Sequence, residues 1–284
     1  MSTIAVVAMG EMGAGIAARL VSRGATVLTS LAGRSAASTA RASKAGVEPV
    51  DDDAQIVARA DVLLSVVPPA AARATAERFR ELIAGASRHT VLVDCNAIAS
   101  QTVKEIAQPF IEAGLPFVDA AIIGAPPKPD TPGPRVYVSG QDHGVTELLR
   151  NFGLDARQLG AELGDASALK MSYAGITKGF QALGTAMALG AARNGALDSL
   201  MKELQDSQPQ LYAWLGRQLP GMYAKAYRWD GEMREIARFL EPEAGSARML
   251  AGAAELYEHV AEDNREGPAS EIISTLNRFV NHTH

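Results

Sequence analysis

From Ile4 to about Gly140, short β-branched apolar runs alternate with Ala-rich helical stretches. The run 4–8 reads as an apolar strand. The stretch 12–23 reads as a helix with Ile16, Leu20 and Val21 on one side, and 25–29 reads as a second strand. The strongest strand signal covers 61–67, apolar at Val62, Leu63, Leu64, Val66 and Val67 and stopped by Pro68 and Pro69. Two more runs follow at 90–94 and 116–120. Continuous apolar runs, rather than strict alternation, mark strands covered on both faces and so a parallel sheet. Helices between such strands give the βαβ pattern of a doubly wound α/β sheet. The run 135–139 alternates more and predicts an antiparallel strand at a sheet edge. After about Gly164 the character changes. A long helical stretch, 166–194, is broken only by glycines, and 200–215, 221–227, 231–240, 247–263 and 268–279 all read as helices. The expected organisation is an α/β domain over 1–160 and an all-helical domain over 161–284, joined by the long helix.

Composition narrows the classes. With 284 residues the chain is long enough to bury a core without metal or disulfide staples. Its formal net charge is −5 with no basic run, a poor match to a phosphate backbone, which argues against nucleic acid as a partner. Cys95 is the one cysteine, so no internal disulfide or multi-Cys metal site is available, as suits a reducing cytoplasm. No stretch reaches the ~18 consecutive apolar residues a membrane helix needs, so no membrane partner is expected. No positive region precedes Ile4, which reads against a signal peptide. Asn281, His282, Thr283 and His284 hold two of the 5 histidines, and nothing nearby completes a ligand set. They read as a frayed tail, and no metal is expected.

The chemistry begins at the first turn. The first strand runs into Ala8-Met9-Gly10-Glu11-Met12-Gly13, followed by Ala14-Gly15. This is a dinucleotide fingerprint with alanine in the first glycine position, placed between a strand and a helix as its mechanism requires. The tight turn lets backbone approach a pyrophosphate, and the following helix aims N–H groups and its positive end at the phosphates. Met9, Gly10, Glu11, Met12 and Gly13 are therefore candidate cofactor contacts on a Rossmann-type domain. Ala8 adds a methyl group, so the turn is expected to shift slightly without losing binding. NAD-specific sites place an acid at the end of the second strand to bond the ribose hydroxyls. Here no acid occurs from Thr26 to Val47; Ser30, Arg34 and Ser35 offer hydroxyls and a guanidinium suited to a 2′-phosphate. The expected cofactor is NADP rather than NAD.

Further along stand Val66-Val67-Pro68, Val93-Asp94-Cys95-Asn96, Phe117-Val118-Asp119-Ala120 with Gly124 beyond it, and Gly164-Asp165-Ala166-Ser167-Ala168-Leu169-Lys170. With the glycine turn, these segments resemble the β-hydroxyacid dehydrogenase family, which includes 3-hydroxyisobutyrate dehydrogenase and relatives of 6-phosphogluconate dehydrogenase. The resemblance spans nearly the whole chain. It implies that Val67, Pro68 and Asn96 lie near the nicotinamide and its ribose. It implies that the loop at Ile123, Gly124 and Ala125 lines the substrate, in a cleft beneath the helical domain, and Lys128 is a candidate replacement for the charge contact that a serine makes in the family. It also implies a homodimer whose helical domains interlock. In the family a glycine-led turn opens the long helix and a lysine six residues later is catalytic; Lys170 takes that place and is expected to shuttle the proton of a substrate hydroxyl.

Elementary chemistry agrees with a base at Lys170. Hydride loss from a carbinol leaves positive character on carbon unless the hydroxyl proton departs, and a positioned base lowers that barrier. An ammonium equally stabilises the developing alkoxide. Helical spacing puts Tyr173, Ala174, Thr177 and Lys178 on roughly the same face as Lys170. Tyr173 is a candidate second acid–base group, and Thr177 a candidate substrate contact. The departures from the family are equally specific. Tyr173 and Ala174 stand where the family carries asparagines, Ile123 replaces a carboxylate-binding serine, and Asp230-Gly231-Glu232-Met233-Arg234-Glu235 occupies the place of a later Lys-Asp motif. The expected activity is NADP-dependent hydride transfer between nicotinamide and a small hydroxy acid or related carbinol or carbonyl compound. Two alternatives stay open at this stage: an imine reductase of the same architecture, favoured by Tyr173 and the apolar Ile122-Ile123 and opposed by Lys170, and a non-catalytic NADP-binding protein.

Overall fold

A computed structural model describes residues 2–87, 90–129 and 131–280, so the tail from Asn281 to His284 lies outside the described residues. Eight strands form one sheet: β1 (Thr3–Val7), β2 (Thr26–Ser30), β3 (Glu48–Val50), β4 (Val62–Ser65), β5 (Val91–Asp94), β6 (Phe117–Ile123), β7 (Arg135–Ser139) and β8 (Asp155–Gly160). Their order is β3-β2-β1-β4-β5-β6-β7-β8, with every pair parallel except β6–β7. The strand order reverses between β1 and β4, the place where a doubly wound sheet opens a crevice at its carboxyl edge. Six helices connect the strands: α1 (Glu11–Ser22), α2 (Ala36–Ala45), α3 (Asp53–Arg59), α4 (Pro69–Ala84), α5 (Ser100–Glu112) and α6 (Val145–Asn151).

Alternation along each strand builds two apolar layers. Ile4, Val6, Val27, Leu64, Val93 and Val118 pack with α1 through Ile16 and Leu20 on one face. Ala5, Leu28, Leu63, Leu92 and Phe117 pack with Phe79 of α4 and Phe110 of α5 on the other. Both faces are dry, which is why these strands read as unbroken apolar runs.

Three readings change. The strand at 135–139 is antiparallel to β6 as expected, but it is not an edge: β8 pairs beyond it. β8, Asp-Ala-Arg-Gln-Leu-Gly, is an outer strand with three exposed positions, so it carries no apolar signature. β3 closes the opposite edge and holds Pro49, which only an edge strand tolerates. The helix expected over 200–215 is two helices. α7 (Asp165–Arg193) is followed by α8 (Leu197–Ser207) and α9 (Pro209–Tyr223), the latter opening on a proline suited to a first turn. The short helix expected at 221–227 does not exist; α9 runs to Tyr223 and α10 (Ala226–Phe239) begins three residues later. α11 (Ala244–Glu266) and α12 (Glu271–Val280) complete the chain.

The chain divides into two compact units, Met1–Met171 and Ser172–His284, so the division falls inside α7. The first turns of α7 belong with the sheet because side chains of β6 and β7 hold them, as described below. In the second unit, the glycines of α7 admit close neighbours: a Cβ on Gly184 would stand 2.6 Å from Leu215 Cδ2, and one on Gly175 3.2 Å from Ile236 Cγ2. Asp263 of α11 caps α12, accepting from the backbone N–H groups of Ile272 and Ile273 at 3.0 Å each. Among the described residues no helix is long and apolar enough to cross a membrane.

Candidate nucleotide-binding and catalytic site

The glycine turn joins β1 to α1. Gly10 is the N-cap of α1 and no side chain caps the helix there, leaving first-turn N–H groups for an external anion. A Cβ built on Gly10 meets nothing within 4 Å, whereas one on Gly13 would collide with the Ala8 carbonyl oxygen. The two glycines thus do different work: Gly10 keeps space open for a ligand, and Gly13 lets α1 press against the end of β1. Met9 is buried, and Met12 packs against the core layer on the α1 face. Glu11 is exposed in the first turn of α1. Its carboxylate would compete with a phosphate for the same helix end, so what Glu11 offers an anion is its backbone N–H.

At the end of β2, Ser30 is half-buried and Arg34 is exposed on a turn closed by its backbone N–H to Leu31 O at 3.1 Å. Ser35 is committed locally: its hydroxyl caps α2, accepting from Ser38 N at 3.3 Å. Sequence reasoning missed Arg41. From α2 it donates Nε–H to the Met9 carbonyl at 2.8 Å and Nη2–H to Ser38 Oγ at 3.2 Å.

Beyond β4, Val67 is half-buried and Pro68 is the exposed N-cap of α4. Asn96 is buried, and its amide bonds at and just beyond the end of β4: Oδ1 accepts from Val67 N at 2.7 Å and Nδ2 donates to Ser65 Oγ at 3.1 Å. The resemblance puts Asn96 near the nicotinamide; in the structure its side chain shapes the Val67-Pro68 backbone. Asn96 N in turn donates to Asp94 Oδ1 at 2.9 Å, and the other Asp94 oxygen has no hydrogen-bond partner among the described residues. Burial pushes the Asp94 carboxyl up to about 7, and the Asp119 carboxylate opposite it in register adds to the rise.

Asp119 is the best-served carboxylate in the unit. Its oxygens accept from Ser167 Oγ at 2.7 Å, Ser167 N at 3.0 Å and Ser139 Oγ at 2.8 Å. Ser139 Oγ also accepts from Ala166 N at 3.0 Å. Side chains of β6 and β7 therefore serve as the N-terminal cap of α7. One turn on, Lys170 is half-buried and donates from Nζ to the Ile122 carbonyl at 2.6 Å. β6 thus grips one face of α7 at Ser167 and at Lys170. A carboxylate inside a run covered on both faces was the available signal, since such a group must be partnered.

The loop after β6 leaves Ile123 buried and Gly124 exposed at φ +132. Ala125 is exposed, and Pro126 and Pro127 press on α1 at Gly15, where a Cβ would stand 3.0 Å from Pro127 Cδ. Arg19 of α1 pins the loop by donating to Lys128 O and Thr131 O, both at 2.8 Å. Lys128 is exposed, and its backbone closes a turn with Thr131.

On α7 the expected shared face divides. Tyr173 is exposed, and the Thr177 hydroxyl bonds back to Tyr173 O at 2.9 Å. Lys178 turns inward: it pairs with Glu232, lies 4.9 Å over the Trp229 ring, and burial lowers its pKa. The spacing of eight residues advances a helix by more than two turns, enough to separate these side chains.

Comparisons with known proteins agree with the fold. Residues 3–158 match the NAD binding domain of 6-phosphogluconate dehydrogenase, and residues 191–260 match a domain of unknown function. A conserved hypothetical protein of Sinorhizobium meliloti has a similar solved structure, 28% identical with a TM-score of 0.69, covering 98% of this chain and 97% of that one. An uncharacterised 28.5 kDa protein of Methanothermus fervidus is 26% identical over 237 residues, 83% of this chain and 90% of its own. The Mycobacterium tuberculosis 3-hydroxyisobutyrate dehydrogenase, solved with L-serine, shares the fold at 18% identity, with a TM-score of 0.71 over 98% of this chain and 99% of that one. The chain belongs to the β-hydroxyacid dehydrogenase family, through the NAD-binding domain it has in common with 6-phosphogluconate dehydrogenase. It is a nicotinamide-dinucleotide-binding protein of the dehydrogenase and reductase class.

The two glycines separate on substitution. Gly13→Ala lowers stability by about 1–3 kcal/mol in a urea titration, because the new methyl displaces α1 from β1. Gly10→Ala costs about 1 kcal/mol as a poorer cap, yet weakens NADPH and NADH together in a fluorescence titration. Asp94 makes stability pH-dependent. Between the ordinary carboxylate value of 3.8 and about 7 the folded chain holds a proton that the unfolded chain releases. This contribution to stability is therefore present at the acid end of that window and is lost as pH rises through it. Asp94→Asn removes it, so the variant gains on the parent as denaturant titrations move from acid to neutral pH; a difference that stays constant would refute the assignment.

Proposed function

We propose that this chain is an NADP-dependent oxidoreductase acting on a small hydroxy acid or a related carbinol or carbonyl compound, with Lys170 as its acid–base group. One observation carries the reading: the Lys170 amine is held 2.6 Å from the Ile122 carbonyl at the carboxyl end of β6, where the loop from Ile123 to Lys128 begins. An amine fixed there by a strand carbonyl and a capped helix turn is pre-organised, which is what a proton-transfer group requires.

The open space at Gly10 and the uncapped start of α1 fit a pyrophosphate. Gly10, Met12 and Gly13 would hold it through backbone, and Arg34 with the α2 region would receive the 2′-phosphate. When bound, the nicotinamide supplies or accepts the hydride. Lys170 takes the hydroxyl proton from a carbinol, or returns it to the oxygen of a carbonyl. The loop from Ile123 to Lys128, pinned by Arg19, lines the substrate; Ile123 brings no hydroxyl for a carboxylate, so Gly124, Ala125 and Lys128 carry that contact. Tyr173 is proposed as a second donor on the same helix and Thr177 as a contact beside it. A reducing cytoplasm suits the lone buried Cys95.

We further propose that two copies pair through the second unit. Tyr173, Ile176, Phe180, Leu183 and Met187 are each 50–61% exposed and recur at alternating steps of three and four along α7. That is the spacing of a helix–helix seam, and a stripe of this kind is self-complementary about a two-fold axis.

Turnover is tested by following NADPH absorbance with hydroxy acids, aldehydes and cyclic imines in parallel. Lys170→Ala lowers turnover by on the order of 10²–10⁴ while NADPH affinity stays nearly unchanged. Equal loss of cofactor affinity makes the residue structural, and activity with imines alone replaces the hydroxy-acid reading. Sedimentation tests the pairing: the parent chain runs as a dimer and Phe180→Glu with Leu183→Glu as a monomer, whereas a monomeric parent overturns it.

A further inference from the structure

The residues after the second strand direct attention to Arg34 for discrimination between NADP and NAD, but the structure holds a better-built cation nearby. Arg41 lies on the inner side of α2, half-buried. Two bonds on one edge of its guanidinium fix it: Nε–H to the carbonyl of Met9, the residue before the Gly10 cap, and Nη2–H to Ser38 Oγ. Ser38 Oγ also receives the Ser35 hydroxyl at 3.2 Å, so the three side chains form one connected row beside the glycine turn. Nη1 makes no hydrogen bond among the described residues. No acid occurs from Thr26 to Val47, while Arg34, Arg41 and Lys44 all do. The acid that follows, Glu48, is taken by Arg59 at 2.7 Å. Glu11, on the first turn of α1, is the acid nearest in sequence to the glycine turn.

We infer that Arg41, seated on Met9 and Ser38, is the principal residue selecting a phosphomonoester on the adenosine ribose, with Arg34 secondary. This deepens the NADP reading above and rests on it. The physical reason is pre-organisation. A guanidinium held on one edge presents its remaining donors in a fixed fork, which suits phosphate and leaves little side-chain entropy to lose on binding. Arg34 stands exposed on a turn and must be ordered by the ligand. Because the same side chain holds the Met9 carbonyl, the sites for the pyrophosphate and for the ribose phosphate share one anchor.

The test is direct titration of the full-length chain with NADPH, NADH and the fragments adenosine 2′-monophosphate and 5′-monophosphate at fixed ionic strength, and it needs no substrate. Arg41→Ala is expected to weaken NADPH and the 2′-monophosphate by on the order of 10–100-fold, leaving NADH and the 5′-monophosphate within a few-fold of the parent. Arg41→Lys keeps the charge but not the fork and recovers only a minor part. Arg34→Ala has the smaller effect on the NADPH-to-NADH ratio. Ser38→Ala, which keeps the Met9 bond, lowers the ratio by a few-fold and serves if Arg41→Ala does not fold. Equal weakening of NADPH and NADH by Arg41→Ala overturns the inference, since the residue then only shapes the glycine turn. It is overturned equally if Arg34→Ala abolishes the preference and the Arg41 and Ser38 variants keep it. A parent chain that binds both dinucleotides alike refutes the NADP preference and this inference together. A parent that binds neither refutes the nucleotide reading itself, which the fragment titrations then register separately.

Discussion

The buried Asp119 carboxylate sets the geometry on which the rest depends. It gathers the backbone N–H and hydroxyl of Ser167 and the hydroxyl of Ser139, tying β6 and β7 to the opening turn of α7. A carboxylate with no exposed surface survives only when its desolvation is offset by donors of this quality. Even so, burial raises its pKa, and the Ser167 and Ser139 bonds pull the other way. Its neighbour Asp94 has one oxygen without a hydrogen-bond partner among the described residues, and burial pushes its carboxyl up to about 7. Two carboxyls side by side at the carboxyl ends of β5 and β6 are both pushed upward by burial, and the one with more donors is the one that ties the strands to α7. From this anchor the position of Lys170 follows, one turn along a helix that cannot slide.

Much of the nucleotide-binding unit was legible in the residues. The apolar runs at β1, β4 and β5 announced a sheet covered on both faces, and Gly10 and Gly13 fell between a strand and a helix where their roles demand it. The edge strands were not legible. β3 spends one of its few positions on Pro49, and β8 turns Arg157, Gln158 and Leu159 outward, so neither carries the apolar run by which a covered strand is recognised. The helical unit was read as helical, but its breaks were misplaced. The helix expected over 200–215 ran through Pro209, which in fact opens α9, and Gly221, where a new helix was expected, sits inside α9 without interrupting it.

Site residues showed a sharper contrast. Lys170 was singled out by the family resemblance, which expects a lysine six residues after the glycine-led turn at Gly164. Its supports, Asp119, Ser139 and Ser167, lie on three separate segments that only folding brings together. Asn96 was placed near the nicotinamide by the resemblance of its segment to the family; its bonds to Val67 and Ser65 emerge only in the fold. Arg41 escaped notice because an arginine in an Ala-rich helix resembles any solvated charge; nothing in local sequence announces a bond to Met9, 32 residues away. In each case the residue type was visible and the partner was not.

The two tryptophans carry a consequence for how this chain is observed. Trp214 lies on α9 with its ring 6.3 Å from Phe180, and Trp229 lies on α10 against Tyr257 at 5.2 Å with the Lys178 ammonium over its face. Both belong to the unit from Ser172 onward, and the unit that carries the glycine turn has none. Indole emission therefore follows the melting of the helical half alone and is blind to the other. A single smooth emission transition in denaturant would describe half of this molecule, and cooperativity between the halves becomes visible only when a second probe that covers both, such as circular dichroism, is recorded beside it.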